Sequence, residues 1–457
     1  MVTKERPLPK ELSAPCTTIG GDLSVCTSHS AQSLSSSLPF DRLTDDLLTE
    51  ILLRVPIKPL YRSKCVSKHW LSFISSTCFA RSYIITDHHN DMLLFRTLHN
   101  AGKVYALPLL PGAAYPHVSS IPLTFDFVDN IWEVTTKVLW RVLLVGSYGG
   151  LVLLSACFQD YHAEKIRQYC YYQYYLCNPV SKQWVELPLI PTCDTVGFTC
   201  YHAQQARGQD GISRIWADTD SYEEIIRNNV DYDPNKIDFT VVSINWNNEK
   251  GKFMARVFSS TDETAEWSIF HVPCPPGSRW TGIDLRAKLV FLNGKFHWCG
   301  TNCIAAYDPF NKPLDCDIIP LPPRDPVKSG TYTKLVLEAC EGRLRLVKDF
   351  FTGRFVVWDL VDYANKVWVQ KFDVDTDLGF QSFVGVVARD KVYMLSNYSS
   401  AIKLFDVRNK SEQHVYDHIT SDNNVYKLRS VTPFFSSPWP TPVAVGQKKL
   451  LSYINFP

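Results

Sequence analysis

The residues best placed for metal chemistry are His297, Cys299 and Cys303. On a strand His297 and Cys299 share a face, and Cys303 follows a Gly-Thr-Asn turn. A structural zinc needs four ligands at workable spacing, and no fourth is evident, so strand packing is the expectation. His88-His89 reads as a solvated linker. Nucleophilic catalysis needs an activated Ser or Cys with a base and an orienting group. Such residues are plentiful, but no Gly-x-Ser-x-Gly elbow joins a strand to a helix. No phosphate loop or Rossmann glycine pattern leads a strand into a helix, and no constellation points to copper. The run Tyr169 to Tyr175 admits two readings. It is a strand with aromatics on both faces, or it lines a recognition surface, since tyrosine favours interfaces. The expectation is a chain that binds, with no catalytic residue, no cofactor and no metal.

The elements that would position a binding surface begin with one helical island, residues 43–79. Thr44 is a candidate N-cap, with Asp45 and Asp46 in the first turn, where the helix dipole favours negative charge. Leu47, Leu48, Ile51, Leu52 and Val55 make a stripe at helical spacing. Pro56 stops that helix, and Pro59 suits the first turn of the next. Val66, Trp70, Phe73 and Ile74 form a second stripe, while Arg54, Lys58, Arg62, Lys64 and Lys68 lie off both. Short helices over about 40 residues bury little surface by themselves. Leu53 and Tyr61 widen the apolar face, so the surplus is expected to meet a partner.

The chain has 457 residues, enough for more than one domain. Its 47 basic and 46 acidic side chains nearly cancel, which removes any electrostatic reason to bind nucleic acid or an acidic membrane. Fourteen cysteines follow no ladder, and Met1–Lys10 lacks the apolar core of a secretory signal. A reducing compartment, cytoplasmic or nuclear, is expected. Val142–Phe158 carries no charge but is short for a membrane span; two buried strands meeting at Gly149-Gly150 account for it. Residues 1–37, rich in Ser, Thr and Pro, read as a disordered leader.

From about residue 85 the pattern turns to period 2. Val242, Ile244 and Trp246 alternate, as do Phe253, Ala255 and Val257, then Leu344 and Leu346, Val392 and Met394, and Ile402 and Leu404. Asn293-Gly294, Glu341-Gly342, Thr352-Gly353, Arg389-Asp390 and Arg408-Asn409 mark turns. Ser221–Asn228 could form a short helix inside an insertion. A unit recurs: an apolar strand, a second strand ending in an aromatic and Asn or Asp, a turn, often a Trp, then a Leu-Pro close. Asn178, Asp308, Asp359 and Asp406 mark its copies, the last three 51 and 47 positions apart. A period near 50 is that of a kelch-like, four-stranded propeller blade. Residues 85–435 then hold roughly seven blades, six to eight being acceptable. The last strand, near Tyr426–Phe435, is expected to complete the first blade around Met92–Leu107. A pair of β-sandwiches is the competing fold.

The order Leu43-x-Asp45-Asp46-Leu47-Leu48-x-Glu50-Ile51-Leu52-x-Arg54-Val55-Pro56, Lys58-x-Leu60-x-Arg62, Cys65-Val66-Ser67-Lys68-x-Trp70-x-Ser72-x-Ile74 and Phe79 resembles a plant F-box. Thr44 stands where that family has proline, and Pro59 where it usually has serine; Leu38-Pro39 is an alternative start. Gly146-Ser147-Tyr148-Gly149-Gly150-Leu151 and Cys177-Asn178-Pro179 resemble strand and turn motifs of the F-box-associated domain. The resemblance implies a mainly β fold with a small N-terminal α domain: leader 1–37, three-helix F-box 38–84, and kelch-like β-propeller 85–457. It implies a Skp-type adaptor, and through it cullin and RING subunits, with an unknown target on the propeller. It assigns adaptor contact to Leu43, Leu47, Leu48, Ile51, Leu52, Val55, Leu60, Cys65, Val66 and Trp70, of which some must be internal core. The function implied is substrate recognition within an SCF-type ubiquitin ligase, without catalysis by this chain. The alternatives are a propeller interaction protein with no role in ubiquitination, and a propeller enzyme with a helical appendage.

Overall fold

The computed structural model of the protein describes residues 44–55, 57–85, 91–97, 104–108, 138–159, 170–179, 183–190, 195–205, 212–216, 237–247, 251–262, 264–275, 288–300, 302–323, 332–340, 342–350, 354–375, 382–388, 391–396, 402–406, 409, 411–416, 420–421, 424–425 and 428–435. The leader, Leu38-Pro39, Leu43, Pro56, His88-His89, Tyr169, Ser221–Asn228 and the turn residues Glu341, Thr352-Gly353, Arg389-Asp390 and Arg408 lie outside them.

Four helices come first: α1 (Asp45–Leu52), α2 (Ile57–Ser63), α3 (Lys68–Ile74) and α4 (Thr77–Ile85). That is one more than the three expected, because α4 continues past Phe79. Thr44 caps α1 loosely, its Oγ1 3.5 Å from the Leu47 N–H. Ser67 caps α3 better, accepting from the Trp70 N–H at 3.1 Å, and Ser76 accepts from the Phe79 N–H at 3.2 Å. Pro59 sits in the first turn of α2, where its missing N–H costs nothing. Phe73, Phe79 and Tyr83 form a ring chain with centroids 5.4 and 6.2 Å apart. The Tyr83 hydroxyl donates to the Val55 carbonyl at 2.8 Å.

The rest is antiparallel sheet. Blade 2 is β3 (Val138–Tyr148), β4 (Leu151–Gln159), β5 (Cys170–Asn178) and β6 (Gln183–Glu186). Blade 3 is β7 (Thr195–Gln205), β9 (Asp238–Asn247), β10 (Lys252–Ser259) and β11 (Ser268–Pro273), with an extra strand β8 (Ile212–Trp216) on the end of β7. Blade 4 is β12 (Val290–Leu292), β13 (Lys295–Cys299), β14 (Cys303–Tyr307) and β15 (Cys316–Pro320). Blade 5 is β16 (Tyr332–Cys340), β17 (Arg343–Phe350), β18 (Arg354–Asp362) and β19 (Val367–Asp375). Blade 6 is β20 (Ser382–Ala388), β21 (Lys391–Ser396), β22 (Ile402–Asp406) and β23 (Ser411–Tyr416). A ribbon follows, β24 (Thr420–Ser421) with β25 (Asn424–Val425). Blade 1 joins the two ends of this region: β26 (Leu428–Phe435) pairs with β1 (Asp91–Thr97), which pairs with β2 (Val104–Pro108).

The first strands of successive blades touch in turn: β26 with β3, β3 with β7, β7 with β12, β12 with β16, β16 with β20, and β20 with β26 again. Among the described residues that closed circuit makes a six-bladed β-propeller and sets aside the paired sandwiches. Six lies inside the expected range but below the quotient of seven; between β7 and β9 the described strand β8 joins blade 3 and starts no blade of its own.

The core sits between blades, and period 2 is what builds it. Phe296 and Trp298 face blade 3 together with Phe253, Ala255 and Val242. Val290, Leu292 and Ile304 face blade 5 with Leu344, Leu346 and Leu360. Val347, Phe355 and Val357 face Val392, Met394 and Phe405 of blade 6. Each fully buried side chain of this size contributes roughly 1.5–3 kcal/mol. The first strands run close: a Cβ on Gly197 would stand 2.5 Å from the Leu289 Cβ, so only glycine fits there. Asn293-Gly294 turns β12 into β13 with both φ positive, 51° and 76°, as that dipeptide predicts.

The recurring Asp and Trp have distinct duties. Asp308 Oδ1 accepts from the N–H groups of Phe310 and Asn311, and its Oδ2 from the Asn311 side-chain amide. Asp406 clamps Asn409 in the same way. In blade 5 the clamp is Asp362 on Asn365, three residues beyond the repeat marker Asp359. Asp359 lies inside the sheet instead. The indoles stitch blades together: Trp267 donates to the Pro188 carbonyl and Trp368 to that of Pro320, each at 2.9 Å.

Candidate functional site

Helix α1 divides its own stripe. Leu48 and Leu52, four apart, are buried at 1% exposure. Leu47 and Ile51, also four apart and so neighbours on the helix surface, stand at 54% and 48%. Exposed Asp45, Asp46 and Glu50 flank them. Further along, Leu60 is buried, Val55 and Trp70 are half-buried, and Cys65 and Val66 are exposed. Val66, at 60%, is among the most exposed large apolar residues described. Leu43 lies outside the described residues. Leu71 is 49% exposed and was not anticipated. Its signal was there: a leucine off the apolar stripe of a short amphipathic helix has no internal use.

Charge around α2 and α3 is positive, with Arg54, Arg62 and Lys68 exposed. Lys64 lies 4.0 Å from the Tyr61 ring centre, a cation–π contact. Burial lowers its pKa and pushes the Tyr61 hydroxyl up to about 12.

The chemistry-bearing residues of the propeller serve packing. His297 is fully buried; Nε2 meets the Tyr363 hydroxyl at 2.7 Å and Nδ1 faces the Val290 carbonyl at 3.3 Å. Burial lowers its pKa to about 3, so it is neutral. Burial raises the thiols of Cys299 and Cys303 to about 12 and about 11, which leaves them protonated. Among the described residues no group of three or more His, Cys, Asp or Glu could hold a metal. The tyrosine run resolves toward packing: Tyr174 and Tyr175 are buried, and Tyr175 meets Trp184 edge-on at 5.9 Å. Val142–Phe158 forms the β3–β4 hairpin, and among the described residues no helix is long and apolar enough to cross a membrane.

Residues 40–82 match the F-box domain family, and residues 130–434 match the family described as "F-box protein At3g26010-like, beta-propeller". The chain is 24% identical to "Putative F-box/kelch-repeat protein At4g22430" of Arabidopsis thaliana, covering 90% of this chain and 91% of that one. It is 21% identical to "F-box protein At1g49990" of Arabidopsis thaliana, covering 60% and 61%.

Proposed function

Because this chain belongs to the F-box proteins with an At3g26010-like β-propeller, we propose that it is the target-recognition subunit of an SCF-type ubiquitin ligase. In this reading residues 38–84 dock a Skp-type adaptor that leads to cullin and RING subunits. Residues 85–457 hold a target protein. The contribution is proximity: a target lysine held near an activated thioester reacts at a raised effective concentration, and this chain supplies no catalytic group. Work in the cytoplasm or nucleus follows from that machinery.

The observation that carries the reading is the exposed Leu47–Ile51 pair on a helix whose Leu48 and Leu52 are already buried. Val66 and Leu71 offer further apolar surface on their own part of the helical region. Leu48, Leu52 and Leu60 are sealed, so in this reading adaptor contact rests on Leu47, Ile51, Cys65, Val66 and Leu71, with Val55 and Trp70 half-buried. Co-purification with a recombinant adaptor tests this. The paired change Leu47→Ala with Ile51→Ala should abolish capture and leave the propeller folded. An intact chain that never captures the adaptor would sink the reading, and capture without cullin would confine it to an adaptor-bound interaction protein.

A further inference from the structure

The helical region segregates charge in a way the chain as a whole does not. Over 457 residues basic and acidic side chains nearly cancel, 47 against 46. Residues 51–85 instead hold Arg54, Lys58, Arg62, Lys64, Lys68 and Arg81, with no Asp or Glu among them. Of these, Arg54, Arg62 and Lys68 are exposed. Two of the exposed cations differ in what they do for their own helices. Arg62 stands in the last turn of α2, where the helix dipole favours a cation. Lys68 opens α3, where the dipole disfavours one, and no acidic residue in that turn offsets it. Helix stability therefore gives no reason for Lys68.

The same stretch exposes apolar surface. Val66 directly precedes the Ser67 cap of α3, and Leu71 lies in the first turn and a half after it; they are 60% and 49% exposed. Residues at those two positions commonly staple a helix start by packing on each other, yet here both still face water. Lys68 lies three residues before Leu71, so the two are neighbours on the helix surface. Apolar side chains flanked by cations are complementary to a surface with an apolar centre and an acidic rim. A phosphate backbone would match the cations and leave Val66 and Leu71 uncovered. Membrane insertion draws on a whole apolar helix face, and that of α3 turns inward, with Ile74 buried.

We infer that this face docks a protein surface with an apolar centre and an acidic rim, and that the rim belongs to the Skp-type adaptor. Arg62 and Lys68 draw the adaptor in, and Val66 and Leu71 hold it. The inference rests on the ligase reading for the identity of the partner. Steering by opposite charge acts on the association rate and weakens as salt screens it. Truncating an apolar contact acts mostly on dissociation. The charged and apolar parts of the face are thus separable in kinetics.

The test measures association and dissociation rates of the full chain with a purified recombinant adaptor at about 0.05 M and about 0.5 M salt. The association rate is expected to fall about tenfold or more across that range. Lys68→Glu and Arg62→Glu should each slow association at low salt and flatten the salt dependence. Val66→Ala should speed dissociation with little change in association. Lys68→Glu separates docking from folding, because it relieves the clash with the dipole: its denaturant midpoint should match or exceed that of the unaltered chain while association slows. A zero-length carbodiimide crosslink should join Lys68 to an Asp or Glu of the adaptor. Capture of the adaptor at a salt-independent rate, or charge reversals that leave association unchanged, overturns the inference and leaves the ligase reading standing. Binding of the full chain to phosphatidylserine–phosphatidylcholine vesicles that Lys68→Glu abolishes, with adaptor capture unaffected by that change, gives the face to a membrane and overturns the inference too. No capture at either salt sinks the ligase reading, and this inference with it.

Discussion

Leu94 lies directly opposite Thr432 in the antiparallel pair of β1 and β26, and both are buried. The two ends of the propeller region thus form one sheet, and that pairing closes the ring. A ring closed this way gives the first strand of each blade a neighbour on either side. Leu94→Asp puts a charge into the closing sheet without a partner. A loss of about 3 kcal/mol or more is expected, read as a lower denaturant midpoint. Removal of residues from 428 onward should be worse, giving a chain that limited proteolysis degrades throughout the propeller.

Arg345 and Asp359 form a two-pronged ion pair in blade 5, at 2.7 and 2.9 Å, with side chains 4% and 6% exposed. Breaking it leaves a buried charge. Asp359→Ala should cost about 3–5 kcal/mol, whereas Arg345→Leu with Asp359→Leu should recover most of that loss. Urea melts of the three chains decide it. A double variant as unstable as the single one would show that the pair itself holds the sheet.

The helical region should separate stability from capture. Leu60 is buried, so Leu60→Ala is expected to cost about 2–5 kcal/mol of folding free energy. Val66→Ala and Leu71→Ala remove exposed groups and should shift stability by less than about 0.5 kcal/mol. Their effect is expected on adaptor affinity, measured by calorimetry against the purified adaptor.

His297 predicts a limb of acid instability. Its folded pKa, about 3, lies below the ordinary value of 6.5, so between those values the unfolded chain binds the extra proton. Its contribution is constant above pH 6.5 and falls as the pH drops toward 3. Chemical denaturation from pH 7 to pH 4 should lose a few kcal/mol on this account. His297→Gln should flatten that slope, although it disturbs the Tyr363 contact at every pH.

Much of this was legible in the residues. Thr44, Ser67 and Pro59 start helices by local hydrogen bonding and fixed φ, which depend on near neighbours alone. Asn293-Gly294 makes its turn for the same reason. Period 2 in Phe253, Ala255 and Leu344, Leu346 marked faces that the structure buries between blades. The role of Asp359 was not legible, because an Asp near the end of a strand looks the same whether it clamps a turn or pairs with an arginine. Only the register placed it opposite Arg345 and gave the clamp to Asp362.

By itself, then, the sequence determined a short helical region, a long series of strands and the resemblance that joins them. These follow from periodicity and from contacts a few residues apart. Tertiary structure decided the rest. It closed the ring through Leu94 and Thr432, held the number of blades to six and set β8 apart as an addition. It also split one apolar stripe into buried Leu48 and Leu52 and exposed Leu47 and Ile51. The physical reason is common to all of these: spacing along the chain says which side chains share a face, but burial depends on what distant segments bring against that face.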